Sequence, residues 1–276
     1  RLDVVLPFVD KVFHVGNRNV NEITDRENYL KEQSTEIEDT CSTFSGTLPA
    51  FSLADVAFAV KERDILNGVT FDILKGSRTV LLGENGCGKT TLLRLISRLE
   101  KPTRGVILQN IDDKFGQKSK QSKKWYKKVG VVYQNPDYQL FMQTVEKEIK
   151  FGAKSDEYAD EIAEKFGIKH LYARHPQSLS EGQKRRVSIA AGGGKDPEVL
   201  ILDEPTVGQD YKGLCEMVEV LNKLHEEAHN TMITVTHDKR CAAALCDKSV
   251  WIKNGKTYKT GGKELVDEFF IQIGVN

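Results

Sequence analysis

The chain has 276 residues, room for one large domain or two small ones, and at that size roughly 75% of its surface can be buried without disulfide or metal staples. Lys plus Arg number 40 and Asp plus Glu number 40, a balance that removes the electrostatic case for a nucleic-acid partner. No apolar run approaches the ~18 residues of a membrane span, and five cysteines without a CxxC pair read as reduced thiols, so any membrane role has to pass through a partner.

In chain order, residues 1 to ~32 mix short apolar runs with charge, and "TDRENYLKEQ" carries capping-box spacing at Thr24 and Glu27. Residues ~33 to 49, "QSTEIEDTCSTFSGTLP", are a polar linker. From 50 to 82 the β-branched runs "FSLADVAFAV", "GVTFDI" and "TVLLG" predict strands, with a turn expected at Asn67-Gly68. The first of these predict a small antiparallel sheet that "EKPTRGVILQN" continues.

"TVLLGENGCGKTTLLRLI" reads as strand, glycine turn and helix, with the P-loop spacing Gly83-x-x-x-x-Gly88-Lys89-Thr90. Gly86 and Gly88 let the backbone curl so that N–H groups face phosphate oxygens, and the helix starting near Lys89 adds its positive end. Asn85, Cys87 and Thr91 complete the cradle. Lys89 supplies a charge to the β- and γ-phosphates, and the Thr90 hydroxyl is placed for Mg²⁺.

Seven lysines follow between Lys114 and Lys128, interleaved with two aromatics. A solvated loop and helix, a basic patch for nucleic acid, or a contact with acidic lipid headgroups would each fit. "VVYQNPD" sets Gln134 at a strand end. Residues 140 to 180 have helical pattern, with Ser155 as a cap. In "SLSEGQKRRVSIAAG", Ser180 and Gln183 form a capping box that opens a helix, with Gly182 in its first turn. Gly192-Gly193-Gly194 predicts an early helix end, at ~1 kcal/mol per glycine relative to Ala. "EVLILDEPTVGQD" is a buried strand ending in Asp203, which can reach Mg²⁺ through water, and Glu204, which can polarise an attacking water. "ITVTHD" brings His237 to the end of another apolar strand.

"GENGCGKTT", "YQNP", "LSEGQ", "LILDEPT" and "THD", in that order over residues ~50 to 260, resemble the ATP-binding cassette (ABC) ATPases. Longer stretches such as "HPQSLSEGQKRRVSIA" are similar to the ATPase subunits of energy-coupling factor importers of vitamins and metal ions. The resemblance implies an α/β fold: a P-loop core with a mainly parallel sheet, an antiparallel β subdomain and a helical subdomain. It implies ATP and Mg²⁺ as ligands, with the metal near Thr90, Gln134 and Asp203. Gln134 would sense the γ-phosphate, Glu204 would be the general base and His237 the switch contacting the γ-phosphate. Ser180, Gly182 and Gln183 would meet ATP bound by a facing domain, with Asp210 in the loop crossing that interface. Partners would be a second ABC domain and an integral membrane transport subunit on whose cytoplasmic side the chain lies. A soluble ABC ATPase of translation or repair is the alternative.

The sequence departs from the family pattern at Val60, where an adenine-stacking aromatic is usual and Phe58 on the same strand face is the candidate substitute, and at Glu181, where Gly is usual. Cys87, beside Lys89 and a helix N-terminus, is expected to favour the thiolate.

Shifted by 237 residues, the opening stretch lies beside the end of the chain: "VFHV" falls beside "SVWI" and Asn17 on Asn254. Residues 1–32 are therefore expected to be the carboxyl-terminal segment of a preceding ABC domain, 33–49 a linker, and 50–276 the ABC ATPase domain. A family-specific amino-terminal extension is the alternative reading of the first segment.

Overall fold

The computed structural model describes Val9, Ile37 and residues 11–16, 19–34, 44–61, 63–111, 115–116 and 123–274, in two units, Arg1–Glu38 and Asp39–Asn276. In the first, β1 (Phe13–Gly16) and β2 (Asn19–Glu22) form an antiparallel hairpin, followed by helix α1 (Arg26–Ser34). The helix opens on Asp25, whose Oδ1 accepts the Asn28 N–H at 3.0 Å. The cap expected at Thr24 is thus displaced by one residue, to a carboxylate that also suits the helix dipole. Val4, Val5, Leu6 and Phe8, and about half of the linker, lie outside the described residues.

In the second unit, an antiparallel sheet of order β4-β3-β6-β7 combines β3 (Pro49–Val60), β4 (Arg63–Leu74), β6 (Arg104–Asn110) and β7 (Phe115–Gly116). A six-stranded sheet of order β12-β11-β5-β10-β9-β8 contains β5 (Arg78–Leu82), β8 (Val129–Val132), β9 (Val199–Asp203), β10 (Thr231–Val235), β11 (Lys248–Lys253) and β12 (Lys256–Gly261). Only β12 pairs antiparallel in it.

Every residue of β5, β9 and β10 is buried, which is why their apolar runs show no alternation. Helix α2 (Lys89–Ile96) lies between the two sheets. Its Leu92, Leu93, Leu95 and Ile96 share one core with Phe51, Val56 and Val69 of the antiparallel sheet and Leu81, Ile201 and Ile233 of the parallel one. Val80 and Leu82 point the other way, into a second core with Trp251 and Phe269. Packing on both faces leaves β5, and the loop it feeds, little freedom to shift. Arg78 opens β5 nearly fully buried, with Nη2 2.6 Å from Asp247 Oδ1 and Nη1 donating to Asn222 Oδ1. Such a pair is costly to break singly, because the survivor is an uncompensated buried charge.

The helical part comprises α3 (Lys123–Lys128), α4 (Val145–Lys150), α5 (Asp156–Lys165) and α6 (Glu181–Gly193). It is followed by α7 (Tyr211–Ala228), α8 (Lys239–Ala244) and α9 (Lys263–Gln272) against the parallel sheet. Ser155 caps α5 as expected. Within the lysine-rich segment, α3 is anchored by Trp125, buried under the Arg98 guanidinium 3.7 Å from its ring centroid. A structural helix leading into β8 therefore accounts for that part, and residues 117–122 lie outside the described residues.

One local expectation fails and another acquires a second role. Asn67-Gly68 is not a turn: it lies inside β4 as a bulge, where Ala57 pairs with Asn67 and Val56 with Val69, and Gly68 takes φ +90°. The glycine run does end α6, which stops at Gly193 and caps at Gly194. It also permits a close approach. A Cβ on Gly130 of β8 would stand 2.7 Å from the Gly192 carbonyl oxygen, and a Cβ on Gly192 would stand 3.2 Å from Val132.

Candidate active site

The carboxyl ends of β5, β9 and β10 open on a cleft of about 800 Å³. Asn85 to Thr91, Gln134, Asp203, Glu204 and His237 all line it, although more than 150 residues separate the first from the last. Gly83 lies beneath, its carbonyl accepting Lys89 Nζ at 2.6 Å, with the Glu84 carbonyl at 3.0 Å. Gly86 and Gly88 take φ +80° and +104°, and a Cβ on Gly88 would meet Leu66 at 2.5 Å. Gly88 is also the N-cap of α2 and offers no side-chain acceptor, so the first N–H groups of the helix remain available to an anion.

Asp203 ends β9 with Oδ1 buried and unpartnered, and Glu204 Oε1 is buried and unpartnered beside it. Burial raises both carboxyls, opposed at Asp203 by the Thr90 hydroxyl and Lys89. Glu204 is pushed up to about 7, with the backbone N–H of His237 pulling the other way. That N–H donates to Glu204 Oε2 at 3.2 Å. His237 Nε2 lies 3.3 Å from Oε1 without hydrogen-bond geometry. Burial and Lys89 lower the imidazole, which favours its neutral form. Glu204 also holds φ +56°, a conformation that strains a side chain with Cβ, and its N–H donates to the Val235 carbonyl at 2.8 Å. A strained, buried carboxyl near neutrality, fixed from β10, has the properties of a general base.

Gln134 is held from a residue that the motif reading passed over. Arg185 of α6, buried, donates Nη1 to the Tyr133 carbonyl at 2.8 Å and Nη2 to the Gln134 carbonyl. Lys184 adds Asp137 at 2.8 Å. These cations sit two and one residues after Gln183, so the helix that begins at Ser180 also grips the loop that presents Gln134.

Ser180, Gly182, Gln183 and Asp210 do not join the cleft. Ser180 caps α6 in a full capping box: Gln183 N–H donates to Oγ at 3.3 Å, and the Ser180 N–H donates to Gln183 Oε1 at 3.1 Å. Asp210 caps α7 through the Gly213 N–H at 2.8 Å. Glu181 is exposed, with Lys184 Nζ 3.6 Å from its Oε1 to offset its charge.

Two expectations about individual residues change. The Cys87 thiol is raised, not lowered: burial outweighs Lys89, although Nζ lies 3.9 Å from Sγ. Phe58 does not replace the missing aromatic, because it packs against the core between the sheets, and Val60 is exposed outside the cleft. Arg63, Asp64 and Ile65 line that side instead, and a guanidinium plane such as that of Arg63 can stack on a base.

The family profile described as ABC transporter matches residues 66–207. The energy-coupling factor transporter ATP-binding protein EcfA2 of Enterococcus faecalis is 39% identical over 221 residues, covering 74% of each chain. Among solved structures, cbiO1 of Clostridium perfringens, part of the ABC transporter complex cbiONQ, superposes with a TM-score of 0.70 at 31% identity, over 80% of this chain and 92% of that one. An ATP-binding cassette solved as a dimer in a post-hydrolysis state with ADP and Pi gives 0.68 at 25% identity, over 77% of this chain and 98% of its own. From the cleft, the strained glutamate and these likenesses together, the chain belongs to the ABC transporter family of ATPases.

Proposed function

We propose that this chain hydrolyses Mg²⁺-bound ATP to power uptake of a small solute, a vitamin or a metal ion, through a separate membrane subunit, and that it lies on the cytoplasmic face of that subunit. The observation that carries the reading is the division of the site. The P-loop, Gln134, Asp203, Glu204 and His237 share one cleft, while Ser180, Gly182 and Asp210 stand at two helix N-termini outside it. A helix N-terminus suited to a phosphate but outside the cleft fits a site completed by a facing domain, with the α6 N-terminus of each aimed at the nucleotide of the other.

The donor set suits Mg²⁺. Thr90, Gln134 and Asp203 offer hard oxygens at one end of the cleft, and the buried Asp203 Oδ1 has no hydrogen-bond partner. When bound there, the metal would neutralise charge on the β- and γ-phosphates. Lys89 would exchange its two carbonyl partners for phosphate oxygens. Glu204 would accept a proton from the attacking water, and His237 would fix Glu204 through its backbone N–H.

The helical part supports the membrane partner. Tyr138, Phe141 and Phe151 are exposed, and the two phenylalanines meet edge-to-face at 5.5 Å. They adjoin the loop of Gln134, so a subunit docked there would sense the nucleotide. No helix among the described residues is long and apolar enough to cross a membrane. Co-purification with an integral membrane protein, lost on changing Phe141 and Phe151 to Ser, tests the importer reading. Association with ribosomes instead would favour the translation alternative.

We read residues 1–32 as the closing segment of a preceding domain of the same family. The shift of 237 carries β1 into β11, the first residue of β2 onto that of β12, and that of α1 onto that of α9. It also carries the pairs Val15–Val20 and Gly16–Asn19 onto Ile252–Thr257 and Lys253–Lys256. The apolar face does not repeat: Leu265, Phe269 and Phe270 of α9 correspond to Asn28, Glu32 and Gln33.

A further inference from the structure

We propose that Gln209 is a positioning residue: it latches the first turn of α6 to the loop that runs from Glu204 to α7, so that contact of Ser180 and Gly182 with a facing nucleotide is transmitted to the catalytic glutamate. This rests on the two-domain reading above.

The Gln209 carboxamide occupies a slot between two helix N-termini. Its Nε2 donates to the Gly182 carbonyl at 3.2 Å. A Cβ on Gly182, the second residue of α6, would stand 3.1 Å from that Nε2. A Cβ on Gly213, the third residue of α7, would stand 2.6 Å from Oε1. A glycine on each helix thus makes room for one amide. The loop follows the same surface, since a Cβ on Gly208 would come within 3.9 Å of the Glu181 Cβ.

The loop is pinned at both ends. Glu204 is bound to Val235 and His237 on one side, and Asp210 caps α7 on the other. Between them the Gln209 N–H donates to the Thr206 carbonyl at 3.3 Å, and the side chain makes the cross-link to α6. The helices have their own tie: Arg186 Nη2 meets Glu216 Oε2 at 2.8 Å, one turn further along. Loss of the Gln209 bond therefore frees the loop while the helices stay held together.

Q209L keeps the approximate shape and loses the donor. Q209E keeps the shape and turns a carboxylate oxygen toward the Gly182 carbonyl. Both would be made in the full chain and in an E204Q background. ATP-driven dimerisation of the E204Q protein would be followed by sedimentation, and kcat and the Hill coefficient for ATP in the chain that retains Glu204. Nucleotide affinity at dilute protein and Tm would be the controls. The latch predicts weaker dimerisation and lower kcat, each by roughly 2- to 10-fold for Q209L, the range of one neutral hydrogen bond, and more for Q209E. It predicts a Hill coefficient falling toward one, with Tm and dilute-protein affinity retained. Parental kcat, Hill coefficient and dimerisation in both variants would overturn the latch alone, as would a fall in Tm and nucleotide affinity that accounts for the whole loss. If ATP fails to dimerise E204Q with Gln209 intact, the two-domain reading falls and the latch with it.

Discussion

The cleft around Lys89 and the helix N-terminus at Ser180 both suit an anion and are built in opposite ways, while at Asp210 the carboxylate itself fills that role for α7. In the cleft, each group is fixed by burial and by neighbours in its own chain: Lys89 by two carbonyls, Glu204 by β10 and His237, Gln134 by Arg185. At the helix N-termini, side chains cap their own helices and otherwise face solvent, with Gln209 as the cross-link between them. The difference teaches where completion has to come from. On the proposed reading, the first region receives nucleotide as it stands, and the second meets a ligand only when another domain presents one.

The largest effect that sharpens this contrast is at Glu204. E204Q should retain ATP binding and lose hydrolysis by a factor of ~10² or more, the usual scale for a general base. Single-turnover phosphate release is the check, and near-parental turnover would remove Glu204 from that role.

Next comes pH. With Glu204 protonated below about 7, kcat/KM for ATP should rise roughly tenfold from pH 6 to pH 8. The same shift has a thermodynamic sign. A carboxyl raised from 4.5 to about 7 on folding contributes stability at low pH that is lost as pH climbs through about 7. The E204Q protein should therefore gain Tm over the parent at pH 8 and not at pH 4; an equal difference at both would refute the burial argument.

A smaller effect is expected at Cys87. Because burial raises its thiol, iodoacetamide should modify it slowly at pH 7 and faster as pH rises, with ATP protecting it. Fast modification at neutral pH would restore the low-pKa expectation drawn from Lys89 and the helix N-terminus. The smallest lies outside both regions: deleting residues 1–45 should shift Tm by no more than a few degrees, whereas an integral extension would lose several kcal/mol of core burial.

The cleft was legible because its parts are local. A glycine turn between a strand and a helix, or a carboxylate pair after an unbroken apolar strand, carries its own geometry within about ten residues. Reading became less secure where one local pattern has two structural uses. Asn67-Gly68 suits a hairpin turn or a bulge, and pairing with β3 and Arg63–Leu74 as one strand decided for the bulge. Gly192-Gly193 weakens a helix in isolation, yet here it brings α6 against β8. Arg185 and Gln209 were not legible, since each acts across a gap of 27 or more residues that only the packing closes. Cys87 was misjudged for a related reason: charge is written in the sequence, desolvation is not.

If each catalytic site is assembled from two facing domains, two copies of this chain that pair must share their sites, and mixing two disabled variants tests this most directly. K89A cannot hold phosphate in its own cleft, and G182D places a repelling carboxylate at the helix terminus offered to a partner. Each alone should be inactive. In a mixed dimer both lesions fall in one composite site and the other is intact, so an equimolar mixture should recover about a quarter of parental ATP hydrolysis if chains pair at random. Recovery above the sum of the two separate variants is the predicted result; a mixture no more active than that sum would contradict it.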